Sequence, residues 1–405
     1  MKPIVRAGRM KPVHSDIRGP LFVEAMKRQK QGIDILKLNT GNPATFGFGL
    51  PDSIKNALME HMQDGVGYCD FKGMPQARQA ICDYETSKGI KGITPDDVFI
   101  GNGVSEVVSF ALTPLLNDGD EVLVPSPSYS LWGNSVYLED GKPVFYTCDE
   151  QANWYPDIQD IRSKITDKTK AIVIINPNNP TGVLYQKEIL LEIIQVAREF
   201  GLLIFADEIY DRLVMDGKQH ISLASLTEDV PVITLNGLSK SHCLCGYRCG
   251  WMVISGPREL TEDYRQGIIQ LTSLRLCANT LAQIVIPAAL DDMETPASMV
   301  RPGGRIYEQR EATVRELEKI DGLSFVKNDA AFYVFPKLDV KKFNITNDKQ
   351  FAHDLLDATN ILLVPGSGFD WKDPDHFRIV MLPQADVLSD AIRRMGTFLD
   401  GYKQN

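Results

Sequence analysis

The sequence lacks any apolar run long enough to cross a membrane. No stretch approaches the about eighteen consecutive apolar residues of a spanning helix. Residues 1–20 carry scattered positive charges without the apolar core of a signal peptide. We therefore expect a cytoplasmic protein with no membrane partner.

Positive charge is also scarce. The 405 residues include 43 lysines and arginines against 53 aspartates and glutamates, a formal net charge of -10 at pH 7. Nucleic acid and anionic membrane surfaces repel such a chain at long range, so neither is expected to be the main partner. A local basic pocket for a small anion is compatible with this charge.

Cysteine is infrequent and shows no pairing pattern. The seven cysteines are an odd number without the spacing of a disulfide framework, which indicates reduced thiols. In the segment LNGLSKSHCLCGYRCGW a histidine and three cysteines lie in one run, whereas structural zinc sites favour two ligand pairs separated by a loop. We expect no metal there, since a free cysteine also packs as a small apolar residue. The residues concerned are His242, Cys243, Cys245 and Cys249.

What the sequence does contain is an alternation of short β-branched runs and helical periods. Several runs are continuously apolar, as strands covered on both faces are. The helical period is clearest in residues 186–201, whose apolar stripe ends at a glycine suited to a left-handed cap. This alternation predicts an α/β fold whose large domain has a mostly parallel, seven-stranded sheet. The seven runs are VFI ending at Ile100, EVLVP from Glu121, PVFY from Pro143, AIVII from Ala171, LLIFA from Leu202, VITL from Val232 and WMVI from Trp251.

The pattern changes beyond about Pro302. A charged helical stretch from Arg305 precedes short strand-like runs and two further helical stretches, which predicts a smaller α+β domain. The chain length suits about two domains. We expect residues 1–45 to form an N-terminal arm and part of the small domain, residues 46–300 the large ligand-binding domain, and residues 301–405 the C-terminal small domain.

Five polar segments follow predicted strands at the point where each strand ends. Ligands of open α/β sheets bind beyond the carboxyl ends of the strands, so these segments should converge on one site. They are GNGVSE (101–106), PSPSYS (125–130), NPNNPTG (176–182), Asp207 and Lys240.

The first of these segments is suited to a phosphate group. GNGVSE opens a helix with glycines, so backbone N–H groups and the Ser105 hydroxyl could hold an anion at the positive helix end. Arg248 could add a charge-assisted contact. Taken alone, however, an ordinary helix N-terminus and a surface arginine account for these residues.

Asp207 and Lys240 carry the more specific chemistry. Asp207 leaves an apolar strand, where an isolated carboxylate is costly unless it meets a cation: a protonated ring nitrogen, or a nearby lysine or arginine. Lys240 lies among glycine, serine and apolar residues, where desolvation and nearby cations can lower the amine pKa and create a Schiff-base nucleophile. A surface lysine is the alternative. With the phosphate loop, these two residues complete the set that binds pyridoxal phosphate.

Together, these motifs resemble the class I and II aminotransferases, which are fold-type I pyridoxal phosphate enzymes, over nearly the whole chain. The resemblance implies a homodimer with shared active sites, and cis peptide bonds before Pro127 and Pro180. It is carried by GYCDFKGMPQARQAI, GNGVSE, PSPSYSLW, NPNNPTG, DEIY, FRIV, and SK followed eight residues later by Arg248.

The resemblance also implies roles for individual residues. Lys240 would bind the cofactor covalently and move the proton of the substrate Cα, and Asp207 would keep the ring nitrogen protonated. Arg378 would clamp the substrate α-carboxylate, with Gly41 helping to seat it. The remaining implied contacts are Asn179 and Tyr210 at the ring hydroxyl, Tyr129 stacked on the ring, Gly103, Val104, Ser105, Ser239 and Arg248 at the phosphate, and Tyr68 at the phosphate of the partner subunit.

More narrowly, the chain is similar to the bacterial alanine (glutamate–pyruvate) aminotransferases in DIRGP, KLNTGNPATFGF, GYCDFKG, TCDEQANWYPD and RPGGRIYEQR. This implies conversion of alanine and 2-oxoglutarate to pyruvate and glutamate. After the lysine, that group carries a tyrosine, a basic residue and an alanine, whereas this chain has His242, Cys243 and Cys245, which leaves the amino donor open. Arg18, in DIRGP, is the candidate for the distal carboxylate of glutamate; an exposed arm residue is the alternative.

Other function classes stay open at this point. The same scaffold supports lyases, decarboxylases and racemases, and a binding or regulatory protein could keep the fold. A nicotinamide dehydrogenase is disfavoured because no G-x-G-x-x-G follows the first strand.

Overall fold

Residues 2–405 are described by a computed structural model, and Met1, the first residue of the predicted N-terminal arm, lies outside the described residues. The helices are α1 Pro20–Lys30, α2 Asp52–His61, α3 Pro75–Ser87, α4 Val104–Leu112, α5 Leu131–Leu138, α6 Ile158–Lys164, α7 Lys187–Phe200, α8 Leu238–Ser241, α9 Arg258–Arg275, α10 Thr280–Ile284, α11 Ile286–Asp291, α12 Glu294–Val300, α13 Arg305–Leu317, α14 Val340–Phe343, α15 Asp348–Thr359 and α16 Ala385–Asp400. The strands are β1 Leu36–Lys37, β2 Val98–Asn102, β3 Glu121–Ser126, β4 Lys142–Asp149, β5 Tyr155–Pro156, β6 Thr169–Ile175, β7 Leu203–Asp207, β8 Val232–Gly237, β9 Cys249–Ser255, β10 Leu323–Ser324, β11 Tyr333–Val334, β12 Lys337–Leu338, β13 Ile361–Leu362, β14 Val364–Pro365 and β15 Phe377–Val380.

The large sheet has eight strands in the order β2-β9-β8-β7-β6-β3-β4-β5. The four pairings from β8 to β4 are parallel, whereas β9 is antiparallel to both of its neighbours. All seven predicted strands are present, as β2–β4 and β6–β9. The predicted number of strands was nevertheless wrong by one. The eighth strand, β5, has only two residues, too few to show the period of a strand in the sequence.

Apolar layers cover both faces of this sheet. Successive residues of β6 alternate between them: Ile172 and Ile174 share a core with α6 and α7, and Val173 shares one with α4, α5 and α9. This two-sided burial explains why the central strands are continuously apolar in the sequence. It also leaves the strand ends as the places where polar side chains meet a ligand.

The predicted helix over residues 186–201 is confirmed as α7. Leu190, Ile193 and Ala197 are among its buried residues, and Gly201 ends it with a φ of 66°, donating its N–H to the Ala197 carbonyl. Within residues 2–405, no helix is both long and apolar enough to traverse a bilayer.

The C-terminal elements form a second core that includes residues near the N-terminus. Strand β1 pairs in parallel with β13, and Leu38 packs in the same cluster as residues of β15 and α16. Helices α13, α15 and α16 lie where the sequence predicts helical stretches. The domain boundaries after residues 45 and 300 stay a prediction.

Candidate active site

The polar segments that follow the strands begin at the ends of strands of the large sheet. Helix α8, which carries Lys240, begins directly after β8, and Asp207 is the last residue of β7. The expected cis peptide bonds precede Pro127 and Pro180, and a third precedes Pro177. Because β3, β6, β7 and β8 are parallel neighbours, the loops that follow them lie at the same edge of the sheet.

Asp207 is a buried carboxylate without a cationic partner. Its side chain is 5% exposed, accepts a 3.1 Å hydrogen bond from Trp132 Nε1, and receives a 3.4 Å contact from the Ile209 N–H. Burial raises the pKa of Asp207 to about 6, although both hydrogen bonds oppose this change. Among residues 2–405, no lysine, arginine or histidine nitrogen lies within 4.0 Å of it. The ion pair that was the alternative explanation is absent from this part of the chain.

A cradle for an anion forms where α4 begins. Gly103 precedes the helix with a φ of 85°, and Arg248 Nη2 donates a 3.0 Å hydrogen bond to Ser105 Oγ. A Cβ added at Gly103 would overlap the Arg248 guanidinium, and one at Gly250 would overlap the N–H of Val104, so both glycines permit this close approach. Backbone N–H groups, a hydroxyl and an exposed guanidinium thus face one point, with half-buried Ser239 on the nearby α8.

Lys240 is half-buried beside the segment that contains Gly41. Its Nζ donates a 2.9 Å hydrogen bond to the Gly41 carbonyl and lies 5.9 Å from the centre of the Phe332 ring. The expectation of a lowered pKa was wrong for the chain alone. Burial does act to lower the pKa of Lys240, but the phenols of Tyr333 and Tyr129 and the thiol of Cys245 act in the opposite direction, and the pKa is raised overall.

Arg378 is a buried guanidinium without an acidic partner. It is 1% exposed, donates to Asn179 Oδ1 at 2.9 Å and to the Asn39 carbonyl at 2.5 Å, and stacks between the Tyr333 and Phe369 rings. Its Nε has no hydrogen-bond partner, and burial lowers the pKa of Arg378. Within residues 2–405, no carboxylate oxygen lies within 4.0 Å of it. The charge of Arg378 therefore has no anionic partner among the described residues.

Two residues in direct contact with this site had no role assigned from the sequence. Trp132 binds Asp207, and the Tyr333 hydroxyl lies 2.8 Å from the Tyr210 hydroxyl while its ring stacks on Arg378. A Cβ at Gly41 would overlap the Tyr333 hydroxyl, which explains the glycine at that position. Trp132 ends the motif PSPSYSLW, so the sequence held a signal for it, whereas Tyr333 lies in an ordinary apolar strand.

Besides Arg248, three candidate residues remain exposed. Tyr129 is 38% exposed and Tyr68 is 84% exposed. Arg18 is also exposed and lines a cavity of about 430 Å³ together with Thr40 and Asn42, the two residues that flank Gly41. The chain by itself does not bring Tyr68 or Arg18 into contact with Lys240 or Asp207.

The histidine and cysteines around Lys240 contact separate neighbours. His242 Nε2 lies 3.2 Å from the Asp292 carbonyl, Cys243 Sγ lies 3.9 Å from Met299 Sδ, and Cys245 Sγ donates to the Ser239 carbonyl at 3.0 Å. Cys249 is buried in the core.

A group of buried residues resembles a metal site but surrounds an amine. Suitable ligand atoms of Glu208, Asp211 and His220 lie within 4.8 Å of one another. Lys88 Nζ, however, lies 2.8 Å from Glu208 and 3.2 Å from Asp211. An ammonium therefore already occupies the space between these carboxylates, and Glu208 directly follows Asp207 in the chain.

Comparison with known proteins identifies relatives along the whole chain. The family described as aminotransferase class I and II matches residues 33–394. The glutamate-pyruvate aminotransferase AlaA of Haemophilus influenzae is 49% identical, and that of Escherichia coli K12 is 47% identical, each over 100% of both chains. Among solved structures, an aminotransferase from Escherichia coli has a TM-score of 0.98 at 46% identity and 100% coverage of both chains. An alanine aminotransferase from Pyrococcus furiosus has a TM-score of 0.93 at 40% identity, covering 98% of this chain and 100% of that one.

The burial of Asp207 predicts an unusual dependence of stability on pH. Its folded pKa near 6 exceeds the unfolded value of 3.8, so the ligand-free chain loses stability as pH rises through this interval. Asp207→Asn should therefore stabilise the ligand-free chain at pH 7.5, by on the order of 3 kcal/mol, and should have little effect near pH 4. Denaturant unfolding at several pH values measures this difference.

Asp216→Asn is the matched control. A hydrogen bond from Arg310 lowers the pKa of Asp216, so its ionised form stabilises the fold above the unfolded pKa. That variant should be less stable than the parent at pH 7.5. An Asp207→Asn chain that is also less stable at pH 7.5 would show that a cation of the chain neutralises Asp207.

Proposed function

The chain belongs to the class I and II aminotransferases, and from this premise we propose that it converts alanine and 2-oxoglutarate to pyruvate and glutamate. The family membership makes it a transaminase. The choice of alanine is supported by the names of its relatives from Haemophilus influenzae and Escherichia coli. The geometric observation that carries the proposal is the buried Asp207 carboxylate, which has no cation within 4.0 Å in residues 2–405 and lies at the same strand edge as Lys240.

Enzymes of this family use pyridoxal phosphate. The groups in this chain fit that cofactor: the Asp207 carboxylate suits a protonated ring nitrogen, and the cradle at the start of α4 suits a phosphate ester. When bound, the cofactor supplies an electron sink that makes the substrate Cα–H acidic. The residues that would hold it are Gly103, Val104, Ser105, Tyr129, Asn179, Asp207, Tyr210, Ser239, Lys240 and Arg248, with Tyr68 of a second subunit.

In this proposal Lys240 holds the cofactor and then carries the proton. Its half-buried amine lies beside the Gly41 carbonyl, which holds the side chain at the substrate side of the site. Lys240 would link covalently to the cofactor, and its free amine would move the proton between the substrate Cα and the cofactor. General acid–base catalysis of this kind contributes about 10²–10⁴-fold.

Arg378 would bind the substrate α-carboxylate. Asn179 and the Asn39 carbonyl fix two edges of its guanidinium, and the rings of Tyr333 and Phe369 fix its plane. The unpartnered Nε shows that the group retains unused hydrogen-bonding capacity. Gly41 would complete the carboxylate site, because any side chain there would overlap Tyr333.

We also propose that two chains form a homodimer with shared active sites. Tyr68 is close in sequence to the exposed Met62 and Val66, exposed Leu281 lies beside Gly65, and exposed Leu276 follows Arg275, which donates to the Phe71 carbonyl. Contiguous exposed apolar residues of this kind mark protein interfaces. In such a dimer Tyr68 would reach the phosphate site of the partner subunit.

A cytoplasmic location is proposed from the chemistry of the chain. All seven cysteines are free thiols, as in a reducing compartment, and both proposed substrates are common intracellular metabolites. Cell fractionation checks this location.

The proposed reaction predicts that alanine and 2-oxoglutarate give pyruvate and glutamate at a higher kcat/KM than aspartate, tyrosine or phenylalanine as donor. Coupled assays of each donor with each oxoacid, on the cofactor-loaded protein, measure this. Lys240→Ala should retain the cofactor without a covalent link and lose turnover by at least about 10²–10⁴-fold. Pyruvate and ammonia released from alanine without an acceptor would contradict transamination.

Arg18 is proposed to bind the distal carboxylate of glutamate and 2-oxoglutarate. Arg18→Gln should raise KM for these two substrates about 10–100-fold, since a charge-assisted hydrogen bond contributes about 1.5–3 kcal/mol, and should leave KM for alanine and pyruvate unchanged. Arg6→Gln removes another exposed arginine of the arm and is the control. Equal KM changes for alanine and glutamate would rule out a distal-carboxylate role.

Shared sites predict that two inactive variants restore activity when mixed. Tyr68→Ala lacks the contact to its partner and Lys240→Ala lacks its own lysine. After random exchange of subunits, mixed dimers contain one intact site each, so about a quarter of the parent activity should return. Assays at limiting pyridoxal phosphate measure it. If mass measurements show mixed dimers but no activity returns, Tyr68 contacts the phosphate site of its own chain.

A further inference from the structure

Lys240 lies next to a thiol that has no role in the proposed transamination. Cys245 Sγ lies 3.9 Å from Lys240 Nζ, and both atoms face the Gly41 carbonyl, at 4.0 Å and 2.9 Å respectively. A 3.0 Å hydrogen bond from Cys245 to the Ser239 carbonyl holds the sulfur on this side. A sulfur atom and a nucleophilic amine are therefore held in van der Waals contact by short backbone segments.

From this contact we propose that Cys245 is an oxidative modification site, at which a peroxide converts the thiol to a sulfenic acid that Lys240 then captures as a sulfur–nitrogen cross-link. The pairing of the two side chains distinguishes this site from an isolated cysteine. The cross-link would join the Lys240 amine, which the proposed transamination requires, to the Cys245 thiol beside it.

The other thiols are less suited to this chemistry. Burial raises the pKa of Cys69 to about 11, and that of Cys148, Cys243 and Cys249 to about 12. Burial also raises the pKa of Cys82. Because the thiolate is the nucleophile that attacks a peroxide, these five react slowly.

Cys277 is the remaining cysteine and is half-buried like Cys245. Within residues 2–405, it has no amine among its hydrogen-bond partners, whereas Cys245 contacts Lys240. It therefore serves as the matched comparison for Cys245.

The proposed steps balance in atoms and electrons. In the first, the Cys245 thiol displaces one oxygen of a peroxide: the O–O bond breaks, sulfur is oxidised to S–OH, and water leaves. In the second, the neutral Lys240 amine attacks that sulfur: an N–S bond forms, the S–O bond breaks, and a second water leaves with one amine proton. Two equivalents of a thiol reductant reverse the link, restoring the thiol and the amine while forming one disulfide.

The consequence is a reversible block of the lysine. An amine bonded to sulfur neither links to a cofactor nor carries a proton, so the cross-linked chain should be inactive until it is reduced. This consequence depends on the proposed role of Lys240, whereas formation of the cross-link does not.

The test is peptide mapping of the full-length, cofactor-free protein after hydrogen peroxide at about pH 9, where a larger share of lysine is neutral. Trypsin cleaves after arginine and after lysine, but not after a lysine whose amine is modified. The cross-link should therefore appear as a peptide uncut at Lys240 that extends to Arg248 and is lighter by about 2 Da, and dithiothreitol should restore both the mass and the cleavage. Cys245→Ala should abolish this peptide, and Lys240→Ala should instead gain about 16 Da at Cys245.

Cys277→Ala and Cys243→Ala are the controls and should both still form the cross-link. A loss of about 2 Da with normal cleavage after Lys240 would indicate a Cys243–Cys245 disulfide and overturn the proposal. Oxidation confined to cysteines other than Cys245 would overturn it as well.

Protein loaded with pyridoxal phosphate should resist the cross-link. Equal cross-linking of loaded protein would contradict the proposed cofactor role of Lys240 and leave the modification site supported.

Discussion

The active site depends on one buried negative charge that the chain does not neutralise. Strand β7 is covered on both faces, and its last residue, Asp207, is 5% exposed with a hydrogen bond from Trp132 and no cation within 4.0 Å in residues 2–405. Burial raises the pKa of Asp207 to about 6, which means that its ionised form costs folding free energy at neutral pH. In the proposed function, a cationic ring nitrogen of a ligand would offset that cost when it binds.

Other groups of the site also carry a charge without an opposite charge beside it. Arg378 is a buried cation without an acidic partner, and the start of α4 with Arg248 forms an anion cradle. One ligand with a cationic ring and a phosphate, and a second with a carboxylate, therefore match the uncompensated charges of the chain. By contrast, Glu208 and Asp211 both pair with Lys88 of the same chain. This contrast separates the charges without an opposite charge beside them from those already paired within the chain.

Much of the fold and of the site was predictable from the sequence, because both depend on strand periodicity and on where polar residues follow a strand. The seven longer strands, helix α7 and the positions of Asp207 and Lys240 at strand ends are of this kind. The two-residue strand β5 was missed because it is too short to carry a period. Tyr333 was missed because its role arises from packing across Gly41 and Arg378, which are distant in sequence. The raised pKa of Lys240 was missed for the same reason, since Tyr129 and Tyr333 come from separate segments.

The central claim is that Asp207 pairs with a protonated ring nitrogen, and the protonation state of that nitrogen tests it most directly. Nitrogen-15 magnetic resonance of the protein loaded with ring-labelled pyridoxal phosphate reports whether the nitrogen is a pyridinium or a neutral pyridine. The account predicts a pyridinium signal that persists well above the pKa of the free cofactor, and its loss when Asp207 is replaced by alanine. A neutral pyridine signal in the parent protein at pH 7.5 would contradict the account.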